Sequence, residues 1–193
     1  YMFSHSMGTL VVRNYIQKYD NEIKKLILCG PPTDNKLVHI GLAMAYITSI
    51  FDYNKRNNFL NFITFNNFNK KYNYKNAWLS KNKRNINNYN KDNLCGFTFT
   101  TNGFINLYKL QIRAFKKELY NCNNKNLKIL ILAGKEDSVI GNINLFNNLK
   151  SFLLNVGYND INSKLYEQLR HEILNKENNI IVYKDILKFL EIS

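Results

Sequence analysis

The chain has 193 residues, 45% of them hydrophobic, with only 8 glycines and 2 prolines. That describes one globular domain with a sizeable core and excludes a linker, a low-complexity tail or a collagen-like repeat. The formal net charge of +13 admits nucleic acid, an anionic membrane surface or acidic ligands as partners. The lysines, however, are scattered among asparagines, which make up about one residue in six. No RNA-binding aromatic signature, helix-turn-helix pattern or Cys/His zinc spacing accompanies them, so no nucleic-acid partner is expected. Cys29, Cys95 and Cys122 are odd in number and widely spaced, which fits neither a disulfide framework nor a metal site. They point to a reducing, cytoplasmic interior. The most apolar stretch, Leu37 to Phe51, falls short of the roughly 20 residues that span a bilayer.

The chain opens with an apolar trio, Tyr1-Met2-Phe3, then Ser4-His5-Ser6-Met7-Gly8, then an amphipathic run from Thr9 to Tyr19. This reads as a strand, a sharp turn and a helix with Ser6 at the tip. A nucleophile elbow has this form, because the tight turn pushes a serine hydroxyl out of the sheet into a cleft. Positions two before and two after the serine are expected to be small, since strand and helix backbones approach there. Gly8 meets this fully, and Ser4 stands in place of the usual glycine. The plainer reading makes Ser6 a helix N-cap, its hydroxyl satisfying free backbone N–H groups.

Leu10, Val11, Val12, Tyr15, Ile16 and Tyr19 recur at helical spacing, with Arg13, Asn14, Gln17 and Lys18 on the opposite, polar face. Lys24 to Gly30 reads as a buried strand closed by Gly30-Pro31-Pro32. A parallel crossover follows from that order. From Thr33 to about Leu107 the sheet rhythm stops, and an aromatic-rich, mostly helical insertion is expected. Such an insertion at the C-terminal edge of a parallel sheet would be a cap over an active site, its apolar side facing an acyl chain. Leu107 to Tyr120 reads as a helix. Leu127 to Gly134 is nearly all apolar and reads as a central strand buried on both faces. Lys135-Glu136-Asp137 follows it, and a helix from Asn144 to Val156 is stopped by Gly157. Ser163 to Tyr166 reads as a final edge strand, His171 lies in the loop after it, and a last helix runs from Ile180 to Leu190.

A serine after one strand, an acid after a later one and a histidine after the last is an order with chemical meaning. A hydroxyl is a poor nucleophile unless a base takes its proton, and the imidazole needs an acid to fix its tautomer. Ser6, Asp137 and His171 supply those roles, with Glu136 as the rival acid. His5 is expected to point away from the site at the turn, and His39 to be a core or cap residue.

Four segments carry a family resemblance: Ser4-His5-Ser6-Met7-Gly8, Leu26 to Pro31, Gly134-Lys135-Glu136-Asp137-Ser138-Val139 with Gly141, and Arg170-His171-Glu172-Ile173-Leu174-Asn175. Together they resemble the monoacylglycerol lipase and lysophospholipase branch of the α/β-hydrolases, also filed as serine aminopeptidase-like. The resemblance implies Ser6 as nucleophile, Asp137 as acid, His171 as base, the Met7 N–H as an oxyanion donor, and ester hydrolysis through an acyl-enzyme with no metal or cofactor. Lys176 stands where the family often has glutamate. The family's first strands and its His-Gly loop, source of a second oxyanion donor, have no counterpart. The expected fold is therefore α/β, an incomplete α/β-hydrolase parallel sheet of C-terminal strands. Residues 1–193 would form a single partial domain with residues 33–107 as a helical cap insertion. The missing N-terminal segment would be its partner, and the 193-residue chain alone is expected to be inactive or poorly folded. The expected substrate is a lipophilic ester, with the positive charge favouring contact with a membrane surface. An aminopeptidase-like hydrolase and a non-catalytic, split or decayed segment are the alternatives.

Overall fold

β3, Lys128–Gly134, is buried at all but its first residue, because it lies inside the sheet with helices on both faces. The computed structural model describes residues 1–175 and 179–191. β1 (Met2–His5), β2 (Lys25–Cys29), β3 and β4 (Ile161–Tyr166) form one parallel sheet in the order β1-β2-β3-β4. Among the described residues β1 pairs only with β2.

The period-two alternation of the strands divides the core. Leu26, Leu28, Ile129, Ile131 and Ala133 face one layer, packing on Val12 and Ile16 of α1 (Met7–Tyr19) and on Phe146, Leu149 and Leu153 of α6 (Ile143–Val156). Ile27, Cys29, Leu130 and Leu132 face the other, against Val182 and Ile186 of α7 (Ile180–Glu191). Lys25, although charged, is buried. Its ammonium donates to the carbonyls of Phe189 (3.0 Å) and Leu190 (2.8 Å), satisfying the free C-terminal end of α7.

Between β2 and β3 lie α2 (Leu37–Asp52), α3 (Asn58–Asn69), α4 (Lys83–Lys91) and α5 (Thr101–Ala114). They carry an apolar cluster of their own, built on Val38, Ala45, Leu60, Phe104, Ile105 and Tyr108. Gly41 lets α2 approach α5 closely. A Cβ there would sit 2.9 Å from the Tyr108 ring. No helix among the described residues is long and apolar enough to cross a membrane.

One expectation is corrected. The helix expected over Leu107 to Tyr120 is instead Thr101–Ala114, its start set by the Thr100 hydroxyl accepting from the Gly103 N–H. Residues 117–119 form only a short 3-10 turn. The polar face of α1 is covered by α5. Arg13 and Gln17 are buried, and only Lys18 of the four polar residues is exposed. The amides of Asn14 and Gln17 donate to the carbonyls of Leu110 (2.9 Å) and Arg113 (2.7 Å), near the C-terminal end of α5. Arg13 donates to Thr9 and Pro32 carbonyls and stacks on Phe115, and burial pulls its guanidinium down to about 10.

Candidate active site

Ser6 sits between the end of β1 and the first residue of α1, at φ +53° and ψ −125°. Left-handed φ costs a non-glycine residue on the order of 1 kcal/mol, so the turn is held by its surroundings. The Ser6 N–H donates to the Cys29 carbonyl (2.9 Å), and its carbonyl accepts from the Thr9 N–H (2.9 Å) and hydroxyl (2.7 Å). The side chain makes no capping hydrogen bond. The N-cap reading therefore fails for the hydroxyl, although the residue holds the N-cap position. Ser4 is buried and donates its hydroxyl to the Ile27 carbonyl (2.9 Å), which ties the elbow to β2. Gly8 is less constrained than its place in the motif suggests. A Cβ there would meet only the Ser4 Cβ, at an ordinary 3.9 Å.

Asp137 and His171 lie in the loops after β3 and β4, 3% and 1% exposed. His171 Nδ1 is 2.9 Å from Asp137 Oδ2, while Asp137 Oδ1 accepts from the Val139 N–H (2.8 Å). Both carboxylate oxygens are thus engaged, and the ring is oriented through Nδ1. The other nitrogen, Nε2, is buried without a hydrogen-bond partner among the described residues. Catalytic hydrogen bonds often tighten only once substrate is bound.

Glycines set this geometry. Gly30, at φ +56°, lies where a Cβ would be 3.0 Å from His171 Nδ1 and Cε1 and 3.3 Å from Asp137 Oδ2. Gly134 closes β3 beneath the His171 loop, where a Cβ would be 2.3 Å from the carbonyl oxygens of Leu169 and Arg170. Since the residue before Gly30 holds the Ser6 amide, the loops bearing Ser6, Asp137 and His171 meet at the C-terminal end of the strands.

Glu136, the rival acid, turns outward. It pairs with Lys81 (2.7 Å) and approaches Arg170 (3.9 Å), linking the β3 loop to the segment between α3 and α4. His5 does not point away. Its ring lies 4.6 Å from that of His171, centroid to centroid, and its Nε2 is 3.3 Å from the His171 carbonyl oxygen. Burial, with the neighbouring His171, lowers its pKa below the usual imidazole range. His39 is exposed on α2, outside any core. Trp78, which no local pattern marked, packs its ring 5.1 Å from His171. Met7 opens α1, so its N–H has no intrahelical acceptor. Burial pushes the Cys29 thiol up to about 12, which leaves it unreactive. Among the described residues no group of three or more His, Cys, Asp or Glu could hold a metal ion. Lys176 lies outside the described residues.

A cavity of about 630 Å3 opens beside Ser6 and Met7. Leu10, Val38, Met44, Phe65, Phe99 and Leu107 supply much of its wall, with Thr33, Asn35, Thr64, Asn67 and Gln111 among its polar groups. Its size and lining are those of a small-molecule site.

A parallel sheet with an elbow serine, and with acid and histidine loops over its C-terminal end, is part of an α/β-hydrolase fold. The chain belongs to the family described as serine aminopeptidase, S33, whose profile matches residues 1–178. Among solved structures it is similar to a thermostable carboxyl esterase from Bacillus coagulans, at TM-score 0.88 and 19% identity over 98% of this chain. A monoacylglycerol lipase from Paleococcus ferrophilus follows at TM-score 0.68 and 16% identity over 97% of the chain. A soluble variant of monoglyceride lipase from Saccharomyces cerevisiae follows at 0.66 and 18% over 99%. The chain spans 63%, 66% and 61% of those three proteins respectively. No curated protein matches it.

Proposed function

We propose that the protein hydrolyses carboxylic esters of lipophilic substrates, of the monoacylglycerol or lysophospholipid kind, through an acyl-enzyme. The observation that carries this is a strained, uncapped Ser6 lining a largely apolar cavity, its amide held by Cys29, next to the Gly30 backbone that packs against the buried Asp137–His171 pair. In this reading His171 Nε2 takes the Ser6 Oγ proton as Oγ attacks the ester carbonyl carbon. Asp137 holds the Nδ1–H and steadies the imidazolium. The Met7 N–H stabilises the tetrahedral oxyanion. Collapse expels the alcohol, which takes the proton from Nε2. Water, deprotonated by the same nitrogen, then releases the acid and restores Ser6.

The apolar cavity wall suits the acyl chain, and the segment over residues 33–107 acts as the cap. The outward face of α2, with Ile40, Ile47, Ile50 and Phe51 exposed, favours contact with a membrane surface, as does the positive charge. An aminopeptidase would need an acidic group at the cavity to hold the substrate amine. Asp52 pairs with Lys55 on the surface, and neither it nor Asp92 lines the cavity. The second oxyanion donor would come from a segment that pairs with the free edge of β1. Lacking such a donor costs about 3 kcal/mol of transition-state stabilisation. If no such segment acts with the chain, a non-catalytic remnant is the remaining reading.

Hydrolysis of esters of graded acyl length tests the proposal. Turnover that rises with chain length and is lost in Ser6→Ala is expected. Turnover unchanged in Ser6→Ala would overturn it. Strong fluorophosphonate labelling of the isolated 193 residues would refute the need for a partner segment.

A further inference from the structure

We propose that Trp78, supplied by the segment between β2 and β3, is a positioning residue for His171, so that this segment completes the base rather than merely covering it. The proposal rests on reading His171 as the base. Rings cover the imidazole from two elements: His5, at the end of β1, at 4.6 Å, and Trp78 at 5.1 Å. Its Nδ1 is taken by Asp137, and the Gly30 backbone lies against Cε1. Only Nε2 is left without a partner among the described residues. The groups that face the imidazole with charge or a titratable proton are thus Asp137 and His5. The Arg170 guanidinium turns instead onto the Tyr72 ring, 4.0 Å away, and toward Glu136.

The backbone makes the same connection. The His171 N–H donates to the Trp78 carbonyl (3.4 Å) and the Glu172 N–H to the Leu79 carbonyl (2.8 Å). Arg170 Nη1 donates to the carbonyls of Ala77 (2.6 Å) and Ser80 (3.0 Å). Residues 170–172 are therefore held by residues 77–80. On its far side the Trp78 ring meets Phe68 at 5.3 Å, and it forms part of the cavity wall beside Ser6. A ligand pressing on that wall acts on the ring that orients the imidazole. If the cap moves, residues 77–80 must stay in place, because lifting them would release His171.

Trp78 is the sole tryptophan, so its emission reports this contact directly. An imidazole ring against an indole quenches it. We expect His171→Gln to raise Trp78 emission at fixed pH, and His5→Gln to leave it nearly unchanged. Emission unchanged in His171→Gln overturns the proposal. The second readout is the low-field proton resonance between His171 Nδ1 and Asp137. Trp78→Ala should exchange that proton about tenfold faster, with Trp78→Phe restoring the native rate. An unchanged rate in Trp78→Ala overturns the proposal. The emission comparison needs no Trp78 variant, so it still tests the proposal if Trp78→Ala does not fold. Neither readout needs turnover. Both succeeding while the full-length protein hydrolyses no ester would refute the proposed function and leave the positioning role standing. Hydrolysis with both failing would do the reverse.

Discussion

Substituting Gly30 by alanine introduces one methyl group directly against the His171–Asp137 pair. At φ +56° an L-residue is strained by about 1–2 kcal/mol. The new Cβ would also stand 3.0 Å from two atoms of the His171 ring and 3.3 Å from Asp137 Oδ2, closer than carbon packs. Overpacking of this kind costs about 1–3 kcal/mol, and the stiffer unfolded chain returns about 0.4–1 kcal/mol. The net loss is about 1–4.5 kcal/mol, about 3 at the midpoints, equivalent there to a Tm fall of about 6–12 °C for a domain of this length. The ring must yield, and a displacement near 1 Å can lower turnover about 100-fold. Thermal unfolding by circular dichroism, with the low-field His171 resonance on the same sample, measures both effects. Gly8→Ala is the internal control, since its Cβ meets nothing nearer than 3.9 Å. It should shift stability by no more than about 0.5 kcal/mol. A Gly30→Ala protein with native Tm and an unmoved resonance would refute the geometry from which this cost is derived.

Other outcomes follow from the same contacts. Ser6→Gly should leave stability in chemical denaturation within about 0.5 kcal/mol of native, because relief of φ +53° is offset by about 0.4–1 kcal/mol from the looser unfolded chain, while abolishing ester hydrolysis; Ser6→Ala should lose activity equally. Gly134→Ala should cost more than Gly30→Ala, because its Cβ meets backbone carbonyls at 2.3 Å that no rotamer change can clear, and soluble yield with Tm will show it. The depressed pKa of His5 means that the unfolded chain binds its proton more readily than the folded one. Stability should therefore fall as pH drops from 6.5 toward the folded-state value, and His5→Gln should flatten that decline in Tm measured against pH.

The strands and their loops were legible because their signals are local. The run Leu127 to Gly134 can only be an inner strand, and the elbow, acid and histidine each follow a strand directly. What stayed hidden depends on partners distant in sequence. Arg13 and Gln17 look solvated on a helical wheel, yet α5, almost a hundred residues later, covers them. The start of α5 is hard to read in the sequence because its apolar residues at 104 and 105 lie among the aromatics of the preceding stretch, and its cap, Thr100, is one of three threonines between 98 and 101. Glu136 and Asp137 are adjacent, and only the direction of the turn after β3 separates a buried acid from one that meets Lys81. An elbow that turns its serine outward suggests a His5 facing away, but the His171 loop meets its ring at the end of β1. Trp78 had no signal at all, since its importance lies in a loop that follows some ninety residues later.

The most direct measurement is peptide mapping of the fluorophosphonate adduct on the full-length protein as made in its source cells, with Ser6→Ala and His171→Asn alongside. The expected result is a single adduct on Ser6, absent from the first variant and strongly slowed in the second. An adduct on another residue, or equal labelling of all three proteins, would contradict the assignment of Ser6 and His171 to one working site.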